Sequence, residues 1–301
     1  MISSPNVKIN LGLRVINKRE DGFHNLQTLF VPYHGIKDCL EIVAGDEYSE
    51  TSASLFSKYG SEEGGEVLPE NIPEGYIPKL VQGISDNGKL MITIAREEGV
   101  DWAPLKDLCA RAYFLLDNEY NLPPVKIFLE KKSPVGAGLG SGSSDAAFTL
   151  RTLSEMFSLN LSDKVLAEYA SRIGSDCAFF IYNRPMLGEG RGEKLTPFPL
   201  KGIEKDYEIK VLVPKDITVS TAEAYKNIVT EEASGRIGQD IKDIILQPVE
   251  RWKDLLKNDF EKTVFASHPE LENIKRSLYD SGAVYASMSG SGPALFAIYK
   301  K

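Results

Sequence analysis

Alternating apolar and polar residues near the N-terminus predict two neighbouring strands. Over residues 7–15 every second residue is apolar, which is the period of a strand with one face toward solvent. Lys8 and Asn10 share the polar face of this strand and are therefore expected to lie side by side. An Asp-Gly pair at 21–22 then precedes a second strand-like segment, 26–33, which predicts a hairpin or a short binding loop.

A second pattern runs from a strand through a glycine-rich loop into a helix. Residues 125–130 alternate apolar and polar, and apolar residues recur at helical spacing from 146 to 157. Between them, 134–147 holds four glycines and three serines in the order Pro-Val-Gly-Ala-Gly-Leu-Gly-Ser-Gly-Ser-Ser-Asp-Ala-Ala. Glycine lets the backbone approach an oxyanion, and a helix N-terminus favours negative charge, so we predict a phosphate cradle.

Two common phosphate loops do not fit this stretch. A Walker A loop requires a lysine after its last glycine, and a dinucleotide fingerprint requires Gly-x-Gly-x-x-Gly; neither occurs in 134–147. A flexible glycine linker is the ordinary alternative, but linkers are not usually flanked by a strand and an amphipathic helix. The pattern therefore favours a phosphate-binding loop of another class.

At 301 residues the chain is long enough for two domains of ordinary size, each with its own core. Residues 46–104 are rich in Ser, Glu, Gly and Pro and are expected to form a surface excursion with little core around one strand at 89–95. A boundary placed after an apolar strand predicted at 177–182 gives domains 1–187 and 188–301. Further predicted elements are helices 105–118, 162–172, 221–227, 237–245 and 269–280, and strands 207–213 and 295–299.

Net charge and cysteine content limit the classes of binding partner and the cellular compartment that we expect. A formal net charge of −8 over 301 residues provides no basic field for nucleic acid or for an anionic membrane. The three cysteines are scattered and odd in number, which indicates reduced thiols, and neither a disulfide nor a zinc site is expected. Because no apolar run has the length of a signal-peptide core or a membrane span, a cytoplasmic protein is predicted.

Three segments, taken in order, carry a family resemblance. They are Ser4-Pro5-Asn6-Val7-Lys8-Ile9-Asn10-Leu11 with Asp21-Gly22-Phe23-His24, the loop 134–147, and Ser289-Gly290-Ser291-Gly292, which alone would predict only a tight turn. This set is similar to the three motifs of the GHMP small-molecule kinases, a superfamily that phosphorylates alcohols such as galactose, homoserine and mevalonate. The resemblance implies an α+β protein with the two-domain GHMP kinase fold, in which the N-terminal domain is like ribosomal protein S5 domain 2 and the C-terminal domain is ferredoxin-like.

The details resemble one branch of that superfamily, whose alcohol substrate carries a cytidine diphosphate group. Five positions depart from the branch pattern: Asn6, Phe23, Asp107, Ser141 and Ala178 stand where Ala, Tyr, Asn, Gly and Pro are usual. Phe23 lacks a hydroxyl that could touch the substrate. Asp107 replaces an amide that could bond to the nucleotide.

The resemblance also implies roles for individual residues. Asp176 would take or orient the proton of the substrate hydroxyl, while Lys8 would keep that carboxylate ionised and stabilise developing alkoxide charge. ATP would be bound by Pro134, Gly136, Ala137, Gly138, Leu139, Gly140, Ser141, Gly142, Ser143 and Ser144. The substrate would be bound by Asn10, Phe23, His24, Thr221 and Tyr225, with His24 reading the cytosine edge and Tyr225 stacking on the ring.

ATP and Mg²⁺ are the implied co-substrate and metal, and no protein ligand to the metal is assigned, because kinase metals are held largely by phosphate oxygens and water. The expected partner is a small molecule with a cytidine diphosphate group, without nucleic acid or membrane, on a monomer or weak homodimer. Two alternatives stay open: another GHMP kinase acting on homoserine, mevalonate or a sugar, and a catalytically silent ATP-binding relative. The Asp-Gly-Phe-His loop argues against the first, and the presence of both Lys8 and Asp176 argues against the second.

Overall fold

The structure, a computed structural model, describes residues 1–60, 77–200, 202–226, 228–235 and 238–301. Its strands are β1 (Ile2–Ser3), β2 (Asn6–Lys18), β3 (His24–Lys37), β4 (Cys39–Ala44), β5 (Leu80–Ile84), β6 (Leu90–Arg96), β7 (Val125–Lys131), β8 (Met186–Gly190), β9 (Lys194–Pro197), β10 (Tyr207–Leu212), β11 (Tyr285–Met288) and β12 (Leu295–Lys300). Its helices are α1 (Ser52–Tyr59), α2 (Leu108–Tyr120), α3 (Ser141–Met156), α4 (Asp163–Ile173), α5 (Cys177–Tyr182), α6 (Ile203–Asp206), α7 (Thr221–Lys226), α8 (Glu231–Ser234), α9 (Ile241–Ile245), α10 (Trp252–Leu255), α11 (Phe260–Ser267) and α12 (Pro269–Asp280).

These elements form two compact units, each assembled from separated stretches of the chain. The first unit comprises Met1–Val7, His34–Ser133 and Ser141–Tyr182, and the second comprises Lys8–Tyr33, Pro134–Gly140 and Asn183–Lys301. The domains 1–187 and 188–301 are a division along the sequence, and their boundary stays a prediction.

The first unit is built on a mixed five-stranded sheet in the order β1-β4-β7-β6-β5. β6 runs parallel to β7, and α2 lies between them in the chain, which is the usual crossover for a parallel pair. β6 is an inner strand, and Ile92 and Ile94 are fully buried. The expectation of little core in 46–104 is therefore wrong for this strand, although residues 61–76 lie outside the described part of the chain.

The segment 177–182, predicted to be a strand, is the helix α5. Its first five residues are buried, and it packs against α3 and α4 within the first unit. A short run that is apolar on every side gives no periodicity, so the sequence does not distinguish a buried strand from a buried helical turn. The strand prediction is wrong for this reason, and Asp176 precedes a helix instead of a strand.

The second unit contains a four-stranded sheet, β2-β3-β8-β9, and a three-stranded antiparallel sheet, β10-β12-β11. A core beneath these sheets joins Leu13 and Val15 of β2 to Phe260 of α11 and to Met288 and Leu295. Residues 6–13 of β2 are all buried, so both faces of this part of the strand are covered.

This burial changes the environment predicted for the first polar pair. Lys8 and Asn10 do lie on one side of β2, as the alternation predicts, but they are buried, with exposed fractions of 3% and 2%. The prediction of a face toward solvent is wrong here. Burying an amine and an amide requires hydrogen-bond partners for both groups.

Several predicted helices and strands agree with the structure apart from their ends. Ser162 caps α4 by accepting a hydrogen bond from the backbone N–H of Val165, and α12 and β12 match their predicted ranges closely. Helix α9 starts at Ile241, after its cap Asp240, so the predicted helix is wrong for residues 238–240, and the predicted start at 237 lies outside the described residues. No helix among the described residues is long and apolar enough to cross a membrane.

Candidate active site

The glycine-rich loop separates into a segment with left-handed glycines and the first turn of a helix. Gly136, Gly138 and Gly140 adopt left-handed φ values of +71°, +75° and +69°. Residues other than glycine rarely adopt this region of backbone conformation. The intervening Ala137 and Leu139 are buried and anchor the loop between the glycines. This alternation gives Pro134–Gly140 a defined shape in the second unit.

The remaining predicted ATP-binding residues belong to α3, which begins at Ser141 in the first unit. Ser141 and Ser144 are buried, whereas Gly142 and Ser143 are half-buried in the first helical turn. The hydroxyl of Ser144 is buried without a hydrogen-bond partner among the described residues. The free N–H groups of a first helical turn suit an anionic oxygen, so this placement agrees with a phosphate role.

Lys8 is held against the glycine loop by its side chain and by its backbone. Its Nζ donates to the Gly138 carbonyl oxygen at 2.8 Å and to Asn10 Oδ1 at 2.6 Å, and its backbone N–H donates to the Leu139 carbonyl at 3.0 Å. The ammonium also lies 5.5 Å from the centre of the Phe30 ring, within the range of a cation–π contact. The position of the amine is therefore set by the loop.

Asn10 is oriented by a second chain of hydrogen bonds. Its Nδ2 donates to Thr28 Oγ1 at 3.0 Å, and that hydroxyl donates to the Gly12 carbonyl at 2.6 Å. Because the amide nitrogen is engaged by Thr28, the amide oxygen faces Lys8. Asn10 thus contributes to the position of Lys8 within the second unit.

The third motif packs directly on the glycine loop. Ser289 Oγ donates to the Gly138 carbonyl at 3.0 Å, and the backbone N–H of Ala294 donates to the Ala137 carbonyl at 3.2 Å. A Cβ placed on Gly138 would lie only 2.2 Å from the Ser289 carbonyl oxygen, so the close approach of the two backbones requires glycine. Ser289 is not among the predicted site residues, although its Ser-Gly-Ser-Gly motif is a signal that could identify it.

The substrate-side residues His24 and Tyr225 form an aromatic stack. Their ring centres are 4.8 Å apart with an interplanar angle of 21°. The Phe260 ring lies nearly perpendicular to that of Tyr225, with 4.7 Å between the ring centres. Burial, with a smaller contribution from the nearby Lys18 ammonium, lowers the pKa of His24 below its usual value. His24 is therefore a neutral imidazole at neutral pH, with one donor and one acceptor nitrogen.

A pocket of about 720 Å³ lies beside this stack in the second unit. Its lining combines cations, an acid, hydroxyls and the two stacked rings, and includes Lys18, His24, Glu223, Tyr225, Lys226 and Thr263. The volume is that of a small-molecule site.

Two further predicted substrate residues lie elsewhere in this unit. The hydroxyls of Thr221 and Ser291 are 3.0 Å apart, which connects Thr221 to the third motif. The Phe23 ring is 55% exposed, and the Arg191 guanidinium lies 5.1 Å from its centre. Phe23 is therefore a largely exposed ring with a cation over one face.

Asp176, the predicted proton acceptor, belongs to the first unit. It stands in the turn before α5, is half-buried, and its Oδ1 lies 3.4 Å from the hydroxyl of Ser175. The next residue, Cys177, is fully buried, and burial raises the pKa of its thiol to about 12. Cys177 therefore supplies no thiolate at neutral pH, and the role of Asp176 stays a prediction.

Asp107, one of the departures from the family pattern, has a function in the fold. One carboxylate oxygen accepts the backbone N–H of Cys109 at 2.8 Å and caps α2. The other oxygen accepts the indole N–H of Trp102 at 2.9 Å. An asparagine could make only one of these two bonds through its oxygen, so the carboxylate suits this pairing.

Comparison with known proteins supports the family assignment. The family models "GHMP kinases N terminal domain" and "GHMP kinases C terminal" match residues 107–184 and 241–301. A crystal structure of 4-(cytidine 5'-diphospho)-2C-methyl-D-erythritol kinase has a TM-score of 0.70 at 26% identity, covering 99% of this chain and 89% of that one. A crystal structure of mevalonate kinase, 14% identical, shares the fold with a TM-score of 0.62 over 99% of this chain and 91% of that one. The predicted GHMP kinase fold is confirmed.

Curated relatives match over the full length. The 4-diphosphocytidyl-2-C-methyl-D-erythritol kinase of Bacteroides thetaiotaomicron is 43% identical over 300 residues, which cover 100% of this chain and 92% of that protein. The protein of the same name from Azobacteroides pseudotrichonymphae is 40% identical over 301 residues, covering 100% of this chain and 94% of that protein. The chain therefore belongs to the GHMP kinases and, within them, to the family of 4-diphosphocytidyl-2-C-methyl-D-erythritol kinases.

Proposed function

We propose that this chain transfers the γ-phosphoryl group of ATP to the 2-hydroxyl of 4-diphosphocytidyl-2-C-methyl-D-erythritol. The products are ADP and the 2-phosphate, in the methylerythritol phosphate route to isoprenoids. The observation that carries the proposal is the Gly138 carbonyl, which accepts hydrogen bonds from both Lys8 Nζ and Ser289 Oγ. This one atom joins the three motifs of the superfamily within the second unit.

ATP is the co-substrate of this family. Its triphosphate suits the left-handed glycines of Pro134–Gly140 and the first turn of α3, where backbone N–H groups are available. Mg²⁺ belongs to the proposal: it would neutralise phosphate charge while held mainly by phosphate oxygens and water. The buried Ser144 hydroxyl, which has no hydrogen-bond partner in the described part of the chain, is an oxygen donor of the kind Mg²⁺ accepts.

Two residues are proposed to act on the reacting hydroxyl. Its oxygen forms a bond to the γ-phosphorus, the bond from that phosphorus to the bridging oxygen of ADP breaks, and the proton passes to the Asp176 carboxylate. Lys8 stabilises negative charge as it develops on the attacking oxygen. Support for Lys8 comes from its fixed amine, which is bonded to Asn10 and to the phosphate loop.

Recognition of the cytidine end is proposed for the aromatic stack and its pocket. Tyr225, which lines the pocket together with His24, stays the proposed stacking partner of cytosine, and the exposed Phe23 is a second aromatic ring in this unit. The neutral His24 can both donate to and accept from the edge of cytosine. Asn10 and Thr221 remain the candidates for the polyol part, because both border the third motif.

The setting of the reaction follows from the substrate and the thiols. The partner is a small molecule that carries a cytidine diphosphate group, and we keep the predictions of no nucleic acid, no membrane and a monomer or weak homodimer. A cytoplasmic location is supported by Cys39, Cys109 and Cys177, which are all free thiols.

A coupled ADP-release assay with Mg-ATP tests the proposal. The cytidyl alcohol, homoserine and mevalonate are offered in parallel to the native chain and to Asp176→Asn. We expect turnover with the cytidyl alcohol alone and a fall of about 10²–10⁴-fold in the variant, the usual contribution of a positioned base. Turnover confined to another alcohol would support a different GHMP kinase, and ATP binding without turnover would support the silent relative.

A further inference from the structure

Asn258 is a buried amide that no motif accounts for. It is 2% exposed and lies two residues before the start of α11. Its Nδ2 donates to the carbonyl oxygens of Met288 and Gly290, both at 2.8 Å, and its Oδ1 accepts the backbone N–H of Phe260 at 3.0 Å. The amide thus uses three of its four hydrogen-bonding positions, and two of them hold the ends of one short backbone stretch.

The chain around Asn258 is itself fixed to strand β2. The backbone N–H of Leu13 donates to the Lys257 carbonyl at 2.9 Å, and the N–H of Asp259 donates back to the Leu13 carbonyl at 2.8 Å. The Asp259 carboxylate also accepts the backbone N–H of Val15 at 2.8 Å. Asn258 is therefore held on the strand that carries Lys8 and Asn10.

The carbonyl groups that Asn258 holds border the contact between the two glycine loops. Gly290 adopts a φ of +56°, and a Cβ placed on it would lie 3.1 Å from the Gly138 carbonyl oxygen and 3.3 Å from Asn10 Oδ1. Its neighbour Ser289 donates to that same Gly138 carbonyl. The backbone of Gly290 therefore passes beside the Gly138 carbonyl, the group that also accepts from Lys8, and leaves no room there for a side chain.

We propose that Asn258 is a positioning residue for phosphoryl transfer, which acts by holding the third glycine loop against the phosphate loop. The inference rests on the proposed function, because it assigns Gly138 and its neighbours to ATP. Asn258 touches neither ATP nor the alcohol in this account. Its effect passes through the carbonyls of Met288 and Gly290 to Ser289, Gly138 and the amine of Lys8.

The test is Asn258→Asp, which has the same shape and keeps the acceptor for Phe260 but places a carboxylate oxygen against two carbonyls. The affinity for Mg-ATP is measured by calorimetry without the alcohol, and cytidine affinity is measured separately. We expect the affinity for ATP to fall by about 10- to 100-fold. The variant loses the two hydrogen bonds to the Met288 and Gly290 carbonyls, and the third glycine loop can then shift away from the phosphate loop. Cytidine affinity should stay within about twofold, because the variant keeps the acceptor for the backbone N–H of Phe260, the residue whose ring contacts Tyr225.

Glu261→Gln is the matched control. Glu261 is also buried, and its carboxylate accepts from Ser287 Oγ and from the backbone N–H of Met288, so it anchors β11 but no carbonyl of the loop. We expect it to lower stability while ATP affinity stays within about twofold. Should Asn258→Asp fail to fold, Gly290→Ala strains the same loop through its positive φ and should reproduce the loss of ATP affinity.

Three outcomes would overturn the inference. They are unchanged ATP affinity in folded Asn258→Asp, a parallel loss of ATP and cytidine affinity, and an equal loss of ATP affinity in Glu261→Gln. If the native chain binds ATP but phosphorylates no cytidyl alcohol, the proposed substrate is wrong, and the calorimetry still decides the role of Asn258.

Discussion

Two buried lysines, one in each unit, show how the same side chain can serve the fold or the site. Lys131, 4% exposed, donates to Asp38 at 2.5 Å and to Asp145 at 2.6 Å. Lys8, 3% exposed, donates to an amide oxygen and a backbone carbonyl within its unit. Lys131 donates to two carboxylates, whereas these two hydrogen bonds of Lys8 hold its amine against Asn10 and the glycine-rich loop.

The Lys131 cluster joins three parts of the first unit. Lys131 ends β7, Asp145 lies in the second turn of α3, and Asp38 connects β3 to β4 while also accepting the backbone N–H groups of Lys132 and Ser133. Burial raises the pKa of Asp145, and the Lys131 ammonium acts against that shift. Such a cluster holds elements together, and removing one member leaves the others as uncompensated buried charges.

The largest expected effect follows from Lys131→Met, which leaves two buried carboxylates without their cation. We expect the free energy of unfolding to fall by about 3–5 kcal/mol, the usual cost of removing one partner of a buried ion pair. Urea unfolding measures the change. Lys132→Met is the control, because Lys132 forms a salt bridge with Glu130 while its side chain is 52% exposed, and such pairs contribute about 0–1 kcal/mol. Equal losses in the two variants would contradict the structural role of Lys131.

In contrast to Lys131→Met, Lys8→Met should lower activity strongly and stability only a little. We expect turnover to fall by about 10²–10³-fold, the usual effect of removing one electrostatic stabiliser of the transition state. Stability should change by only about 1–2 kcal/mol, because Ser289 Oγ still donates to the Gly138 carbonyl and methionine can pack on Phe30. Steady-state kinetics and urea unfolding, performed on one preparation, measure both effects. A large stability loss with unchanged turnover per folded molecule would place Lys8 in the same class as Lys131.

A third lysine, Lys18, acts on His24 through the electrostatic effect of its charge on the histidine pKa. Burial first, and Lys18 second, lower the pKa of His24 in the folded chain. The folded state therefore resists protonation, so this contribution to stability is present above the ordinary histidine pKa of about 6.5 and is lost as the pH falls toward the folded value.

Cytidine affinity should follow the same titration. We expect it to be constant from about pH 8 down to about 6.5 and to weaken a few-fold below that, as the imidazole loses its acceptor. In Lys18→Gln the weakening should begin at a higher pH, since one cause of the lowered pKa is removed. Calorimetric titrations across this range measure the onset, and an identical onset in both chains would mean that burial alone sets the pKa of His24.

The sequence predicted the elements whose signal lies in local chemistry. The loop at 134–147 combines glycine, serine and a following helical period, and it has the predicted place between β7 and α3. The pairing of Lys8 with Asn10 followed from the two-residue period of a strand, which places alternate residues on one side. The Ser162 cap was equally local.

The features that the sequence did not predict depend on residues far apart in the chain. Burial of Lys8 results from elements that cover both faces of β2, and the helical form of Cys177–Tyr182 results from packing against α3 and α4. Asn258 reaches Gly290 across 32 positions, and nothing in the run Asn-Asp-Phe-Glu marks its partners. Periodicity reports one element at a time, so it does not include such contacts.

The central claim, transfer of phosphate to the 2-hydroxyl of the cytidyl alcohol, is tested most directly by phosphorus-31 NMR of the product formed from Mg-ATP. C2 of the methylerythritol unit carries a methyl group and no hydrogen. We therefore expect one new monoester signal without three-bond coupling to a proton, together with an intact cytidine diphosphate. A new monoester signal that is coupled to protons, or ADP formation without any new ester, would contradict the account.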